Sequence, residues 1–395
     1  MSATAAHPSG ETGMASATGQ FRGTAVLLSI TLVAVLAGCA PAVHPAPSAT
    51  SPATTHPTPT VEPQSATPTP LLGGDCSRLI SIADVRSATA TPSVALAPAQ
   101  PLNQVYLIPL PQAGGLECDW RGSSPATDLD VAVLPNARAA LDAQTARLDG
   151  GDDGKNAAHI ANVPSYGDQS WTHCVSLGED PSYGCLFDIR VGTFWIEVNQ
   201  VYGGMFTPYP QAPGVHTLLA HLVDTVRSLP SVRAWKPDVR GLTLPTTCDS
   251  TLPLATVRSE TGIADLTQYA NAVTFNPLLD AAFVTSGSLY CQWFTQQDLP
   301  VFTLTMIPGS TWAWSGSAGP PAAASVIPLT TQAGLGTAAF GGCATSNSAD
   351  GCDLFVLANH TWFQLKQGSL TGRPAALSTL ESLARTFLTA IHYDS

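Results

Sequence analysis

Charge is scarce in this sequence: of 395 residues only 11% are Asp, Glu, Lys or Arg, and Lys and Arg together number 16 against 28 acidic residues. With a formal net charge of −12 and no basic run, the chain would repel a phosphate backbone, which argues against nucleic-acid binding. An apolar run of the roughly 20 residues needed for a spanning helix is also missing. The longest uncharged apolar stretch, GTAVLLSITLVAVLAG at 23–38, falls short of it. Gly-x-Ser-x-Gly, Ser-x-x-Lys, His-Glu-x-x-His and P-loop motifs are absent, so the sequence nominates no catalytic residue and no cofactor. Cys-x₂-Cys knuckles are absent as well, which argues against structural zinc. What is abundant is Gly and Pro, 33 of each, in a chain that is 44% hydrophobic. That balance suits an extracytoplasmic, loop-rich protein, and the length suffices for two or three domains.

The nine cysteines are an odd number, which leaves one over if the rest pair. The apolar run follows Arg22 and ends in Leu36, Ala37, Gly38 and Cys39. It resembles a bacterial lipoprotein signal, whose lipobox Leu-Ala-Gly-Cys is matched at every position. The resemblance implies cleavage before Cys39 and lipid attachment to its thiol, hence a signal peptide over 1–38 and a membrane-anchored, extracytoplasmic location. The region before the run is weakly basic and contains Glu11, which makes Met14 a second candidate start. Beyond Cys39, nine prolines in 31 residues with almost no charge predict a disordered linker over 39–73. Fully extended, it reaches on the order of 90 Å.

The remainder is one pattern written twice. Cys76, Cys118, Cys174 and Cys185 are spaced like Cys248, Cys291, Cys343 and Cys352, and other residues fall into the same register. Val85-Arg86-Ser87 matches Val257-Arg258-Ser259, and Cys118-Asp119-Trp120 matches Cys291-Gln292-Trp293. Pro135 and Pro308 each lie 17 residues past their cysteine, and Trp195 and Trp362 each lie ten past theirs. Around Gly192 and Asn359, residue types that tolerate positive φ, the pattern predicts a hairpin. Each copy closes on an amphipathic helix, through Val215, Leu218, Leu219, Leu222, Val226 and Leu229 in one and Leu377, Leu380, Leu383, Phe387 and Ile391 in the other. The expected fold class is α+β. Two tandem duplicated domains are expected, over 74–230 and 246–395 with a linker at 231–245, each an antiparallel sheet packed with an N-terminal and a C-terminal helix.

Eight exported cysteines suggest two disulfides per repeat, and four cysteines allow three connectivities. Sequence alone leaves that choice open. Pairing neighbours in chain order, Cys76–Cys118, Cys174–Cys185, Cys248–Cys291 and Cys343–Cys352, is preferred because it ties the opening helix to the Cys-x-Trp strand and closes a small loop before the hairpin. The long and short bridges would then contribute roughly 4 and 3 kcal/mol respectively.

Other features carry less chemistry. GLGTAA from Gly334 has dinucleotide-loop spacing, but Gly336 aligns with Gly167 of the first repeat, which reads as a turn. Asp149, Asp152 and Asp153 fall in an acidic loop without the ligand alternation of a calcium site. His216 and His221 are five residues apart on one helix, about 140° around its axis, and so flank its apolar stripe. His173 and His360 have no histidine counterpart in the other repeat. Trp120, Trp195, Trp293 and Trp362 read as core packing more than as a ligand surface. Arg86 and Arg258 read as cations placed at helix C-termini.

With lipobox, Pro/Thr stalk, Cys-helix-Val-Arg, Cys-x-Trp, a Gly turn before a cysteine and a terminal helix, the chain resembles a family of actinobacterial cell-envelope lipoproteins of unknown function. It is distantly similar to the extracellular sensor domains of mycobacterial receptor kinases, which carry two disulfides. The resemblance implies an antiparallel sheet covered by helices and no established activity. The reading that follows is a non-catalytic binding or sensor module for an envelope ligand or protein partner, with the cleft or seam between the two domains, near residues 231–241, as the first place to look. A cell-envelope hydrolase without a recognisable motif, or the solute-binding lipoprotein of a transporter, are the alternatives.

Overall fold

The first repeat builds its sheet from strands whose inward residues alternate with polar ones, as in Leu116-Glu117-Cys118-Asp119-Trp120-Arg121. In the computed structural model, the described residues are 67–395 without 98–104, 123–127, 151–163, 177–182, 203–212, 238, 240–241, 271–275, 297–299, 315–328, 345–350, 369–374 and 394–395. The signal run, Cys39 and the linker up to residue 66 lie outside them.

The first repeat holds strands β1 (Ala95–Leu96), β2 (Leu116–Arg121), β3 (Leu129–Leu134), β4 (Gln169–Ser176), β5 (Tyr183–Val191) and β6 (Phe194–Tyr202). Its helices are α1 (Ile82–Thr89), the short α2 (Pro109–Gln112), α3 (Arg138–Gly150) and α4 (Pro213–Ser228). A two-stranded link β7 (Leu242–Thr243) pairs with β15 (His392–Tyr393). The second repeat supplies α5 (Cys248–Thr251), α6 (Leu254–Thr261), β8 (Thr267–Ala270), α7 (Pro277–Ser286), β9 (Leu289–Phe294), β10 (Pro300–Ile307) and α8 (Thr311–Trp314). It continues with β11 (Thr330–Thr331), β12 (Ala338–Cys343), β13 (Cys352–Ala358), β14 (Thr361–Gln367) and α9 (Leu377–Ala390).

The duplication is visible as topology. One sheet runs β1-β2-β3-β6-β5-β4 and the other β11-β12-β13-β14-β10-β9-β8, the same order with one extra edge strand, and every pairing is antiparallel. The expected hairpins form with two-residue turns, Val191 pairing Phe194 and Ala358 pairing Thr361. Gly192 and Asn359 take φ of 60° and 49° there.

Three expected disulfides are present: Cys76–Cys118, Cys248–Cys291 and Cys343–Cys352, with Cα separations of 5.7, 5.6 and 3.9 Å. Cys185 is disulfide-bonded, and the residue opposite it across β4 and β5 is Cys174. The side chain of Cys174 lies outside the described residues.

The inner face of each sheet carries its own core. Val131, Val133, Phe187, Ile189, Ile196 and Val198 pack on α1 and α4, and Leu304, Leu354, Val356, Phe363 and Leu365 pack under α9. Both closing helices bury most of the stripe read from the sequence, with Leu229 and Leu377 half-buried at its ends.

The outer faces are also covered, and each repeat covers the other. Leu278, Leu279, Ala281 and Ala282 of α7 bury Ala132, Leu134 and Trp195 of the first sheet. In return Val105 and Ile108, in the turn leading into α2, bury Ile307, Phe355, Leu357 and Trp362 of the second. Both covering segments precede the Cys-x-Trp strand of their own repeat, so the two halves exchange equivalent elements. The Gln112 amide donates to the Pro308 carbonyl at 2.9 Å across the same junction. Residues 62–395 accordingly form one compact unit.

Candidate functional site

The outer face of the first sheet carries carboxylates in two cross-strand rows. Strand register sets Glu117 on β2 opposite Ala132 on β3, Ala132 opposite Glu197 on β6, and Glu197 opposite Asp188 on β5. The next row sets Asp119 opposite Asp130. Glu197 and Asp188 are only 3% and 2% exposed. Asp188 accepts a 2.7 Å hydrogen bond from the indole N–H of Trp195. The backbone N–H of Leu278, in the first turn of α7, donates to Glu197, whose other carboxyl oxygen is buried without a partner.

Electrostatics follow from the packing. Burial pushes Asp188 up to about 6 against the help of the Trp195 indole. Burial pushes Glu197 well above the carboxylate range, and the charges of Asp188, Glu117 and Asp280 add to it. Asp130 is pushed up to about 7, by burial first and then by its hydrogen bond to Asp119. Glu117 is exposed at the edge of its row, yet the apolar walls around its carboxyl, and then Asp119, raise it. One cation, Arg121, balances the open end of the cluster, reaching Asp128 at 2.6 Å, Asp119 at 2.7 Å and Asp130 at 3.5 Å. Beside it a cavity of about 350 Å³ opens between Glu117, Asp119 and the apolar side chains of Leu96, Leu107 and Leu110.

A second cleft of about 490 Å³ lies where the N-terminal linker enters the fold. Its walls are Leu71 and Leu72 on one side and Leu229, Val232 and Trp235 on the other, and Arg78 and Arg233 stand at it exposed. Arg78 donates to the Leu72 carbonyl at 3.2 Å, whereas Arg233 makes no hydrogen bond or ion pair among the described residues. The sequence pointed to a cleft between the two domains near residues 231–241; residues 232–235 do line this cleft, but its other walls come from the linker and the first repeat, and no residue of the second repeat lines it.

The other nominated residues are structural where they are described. Trp120, Trp195, Trp293 and Trp362 are buried in the cores. Gly167 and Gly336 both have positive φ, and a Cβ at either would strike a strand carbonyl, of Arg190 or Leu357, so GLGTAA is a turn. His216 shares a hydrogen bond with Tyr166, while His221 meets Asp84 of α1 at 3.1 Å on the other side of α4. His360 sits in a hairpin turn, 3.4 Å from the Thr311 hydroxyl, and the side chain of His173 lies outside the described residues. Asp149 falls within α3 rather than in a loop, and Asp152 and Asp153 lie outside the described residues. Arg258 donates to the Leu266 carbonyl at 2.7 Å, and both Arg86 and Arg258 lie in the last turn of their helices. No group of His, Cys, Asp or Glu among the described residues has metal-holding geometry. No helix among them is long and apolar enough to cross a membrane.

Sequence reading missed the carboxylate rows because Glu117, Asp119, Asp130 and Glu197 alternate with apolar residues, as on a solvated strand face. The available signal was the duplication: at the same offsets the second repeat carries Tyr290, Gln292, Thr303 and Gln364. No family model, no curated protein and no solved structure matches the chain.

Proposed function

We propose that this chain is a membrane-anchored, extracytoplasmic lipoprotein whose duplicated body is a non-catalytic binding module, and that its ligand is an amphiphile with an anionic head group. The lipobox at Leu36–Cys39 supports the anchor, together with a cysteine count in which the other eight fall into two matching sets. The observation that carries the binding reading is the linker-side cleft. Apolar walls of Leu71, Leu72, Val232 and Trp235 meet two exposed arginines there, in a chain whose net charge is −12. Apolar walls take an acyl or similar chain, and guanidinium groups hold a carboxylate or phosphate head in bidentate fashion.

The test uses the full chain and a fluorescent fatty acid, dansyl-undecanoate, beside its uncharged alcohol. Saturable binding of the acid is expected, at least about tenfold tighter than of the alcohol, with most of that preference lost in an Arg78→Gln/Arg233→Gln variant. Equal affinity for the two probes, or no saturation, overturns the ligand reading. A Cys39→Ala chain is expected to leave the membrane fraction, and its retention there overturns the anchor.

A further inference from the structure

Helix α7 belongs by sequence to the second repeat and is docked on the sheet of the first. Asn276 caps it, its side chain accepting from the Leu279 N–H at 2.9 Å. The neighbouring Leu278 N–H is not satisfied within the helix, and it goes to Glu197 of β6. The two repeats therefore meet at a carboxyl group with almost no solvent access.

The groups around Glu197 are nearly all acidic. Asp188 faces it from β5, and the charges of Glu117 on β2, one strand beyond Ala132, and of Asp280 on α7 reach it. Near Glu117 and Asp280 lie the phenols of Tyr106, from the turn before α2, and Tyr290, from β9. Helix α3, which also packs on β6 and α7, brings Arg138 and Asp142; Asp142 is engaged by Arg138 and by Arg190 of β5. Arg121 is committed to Asp119, Asp128 and Asp130 in the next row. An anion at Glu197 would thus find one backbone N–H and otherwise carboxylates, with one of its oxygens left buried and unbonded. Protonation removes that conflict.

We propose that the docking of α7 on β6 is a proton-operated latch, closed in acid and released as the pH rises, with Glu197 and Asp188 as its titrating pair. The sign follows from linkage. Both carboxyls are raised in the folded chain, so their contribution is complete below the ordinary carboxylate range and is lost as pH climbs, through about 6 for Asp188, with Glu197 raised in the same direction by its burial. Release bares Leu134, Trp195, Leu278 and Leu279, an apolar face that the closed state hides. The latch does not depend on the linker-side cleft or its ligand.

Amide hydrogen exchange of the full chain, corrected for the intrinsic rate at each pH, reads the latch directly. From about pH 5 to about pH 8, the amides of α7 are expected to lose protection by at least about tenfold, while those of β13 and β14 keep theirs. In a Glu197→Gln/Asp188→Asn variant α7 is expected to stay protected at both pH values, because neither group can then ionise. Either E197Q or D188N alone should give an intermediate response, which keeps the test open if the double variant does not fold. Protection of α7 that is independent of pH in the wild-type chain overturns the proposal. So does a loss shared by every segment, which would report global unfolding, and so does a double variant that keeps the wild-type response.

Discussion

Trp195 and Trp362 stand at the same offset in the two repeats, both buried on an outer sheet face, yet their indoles meet different partners. The N–H of Trp195 donates to Asp188, and the N–H of Trp362 has no acceptor among the described residues. The contrast extends along the whole face. The row Glu117, Ala132, Glu197, Asp188 of the first repeat is Tyr290, Thr305, Gln364, Phe355 in the second, joined by the same register. Asp119 opposite Asp130 becomes Gln292 opposite Thr303. The first repeat buries two facing carboxyls there, Glu197 and Asp188, whereas the second buries one, Asp353, which accepts from the Gln364 amide at 2.9 Å. The inner faces differ far less, both being aliphatic and aromatic surfaces pressed on a closing helix. Duplicated cores have stayed alike because each must fill the same space. The outer faces share a frame but not a chemistry.

The largest test of that frame is the pair of long disulfides. Replacing Cys76 and Cys118 together by Ala, or Cys248 and Cys291 together, should cost about 4 kcal/mol in either repeat, because the loops they close span 42 and 43 residues. Denaturant unfolding checks it, and a difference of more than about 1 kcal/mol between the two variants would show that the frames are not equivalent. A smaller effect should separate the tryptophans. Trp195→Phe leaves Asp188 buried without its donor, while Trp362→Phe removes an N–H that was unsatisfied, so the first should be the more damaging by about 1–3 kcal/mol. The smallest effect has the opposite sign. Ala90 ends α1 and Gly262 ends α6, each 14 residues after a cysteine and both in the left-handed region, with φ of 50° and 67°. Ala90→Gly should stabilise the chain by about 0.5 kcal/mol, the relief of strain slightly exceeding the added freedom of the unfolded chain. Thermal unfolding resolves the sign.

Much of the frame was legible in the sequence because it rests on local or repeated signals. Cysteine spacing located the strands that carry the bridges, and helical spacing of Leu and Val located α4 and α9. Gly192 and Asn359 located the hairpin turns. The carboxylate site was not legible in the same way, since Glu197 lies between Ile196 and Val198 in a pattern that any half-exposed strand shows. Only the position of α7 turns that face inward, and α7 comes from residues about 80 positions further along the chain. The cleft was not legible: a seam between the domains was expected near residues 231–241, and although 232–235 line the cleft that forms, its other wall comes from Leu71 and Leu72, assigned to the linker, and none of it from the second repeat.

By itself the sequence determined the α+β class, the duplication and the faces of the closing helices, because each is set by residues that repeat at fixed intervals along the chain; which cysteines join was left open among three connectivities. Tertiary structure alone decided that the repeats trade covering segments and fuse into one unit, and hence that Glu197 and Asp188 are buried rather than solvated. A carboxyl group has no fixed cost in a sequence. Its energy depends on what excludes water from it, and here that is a helix supplied by the other repeat.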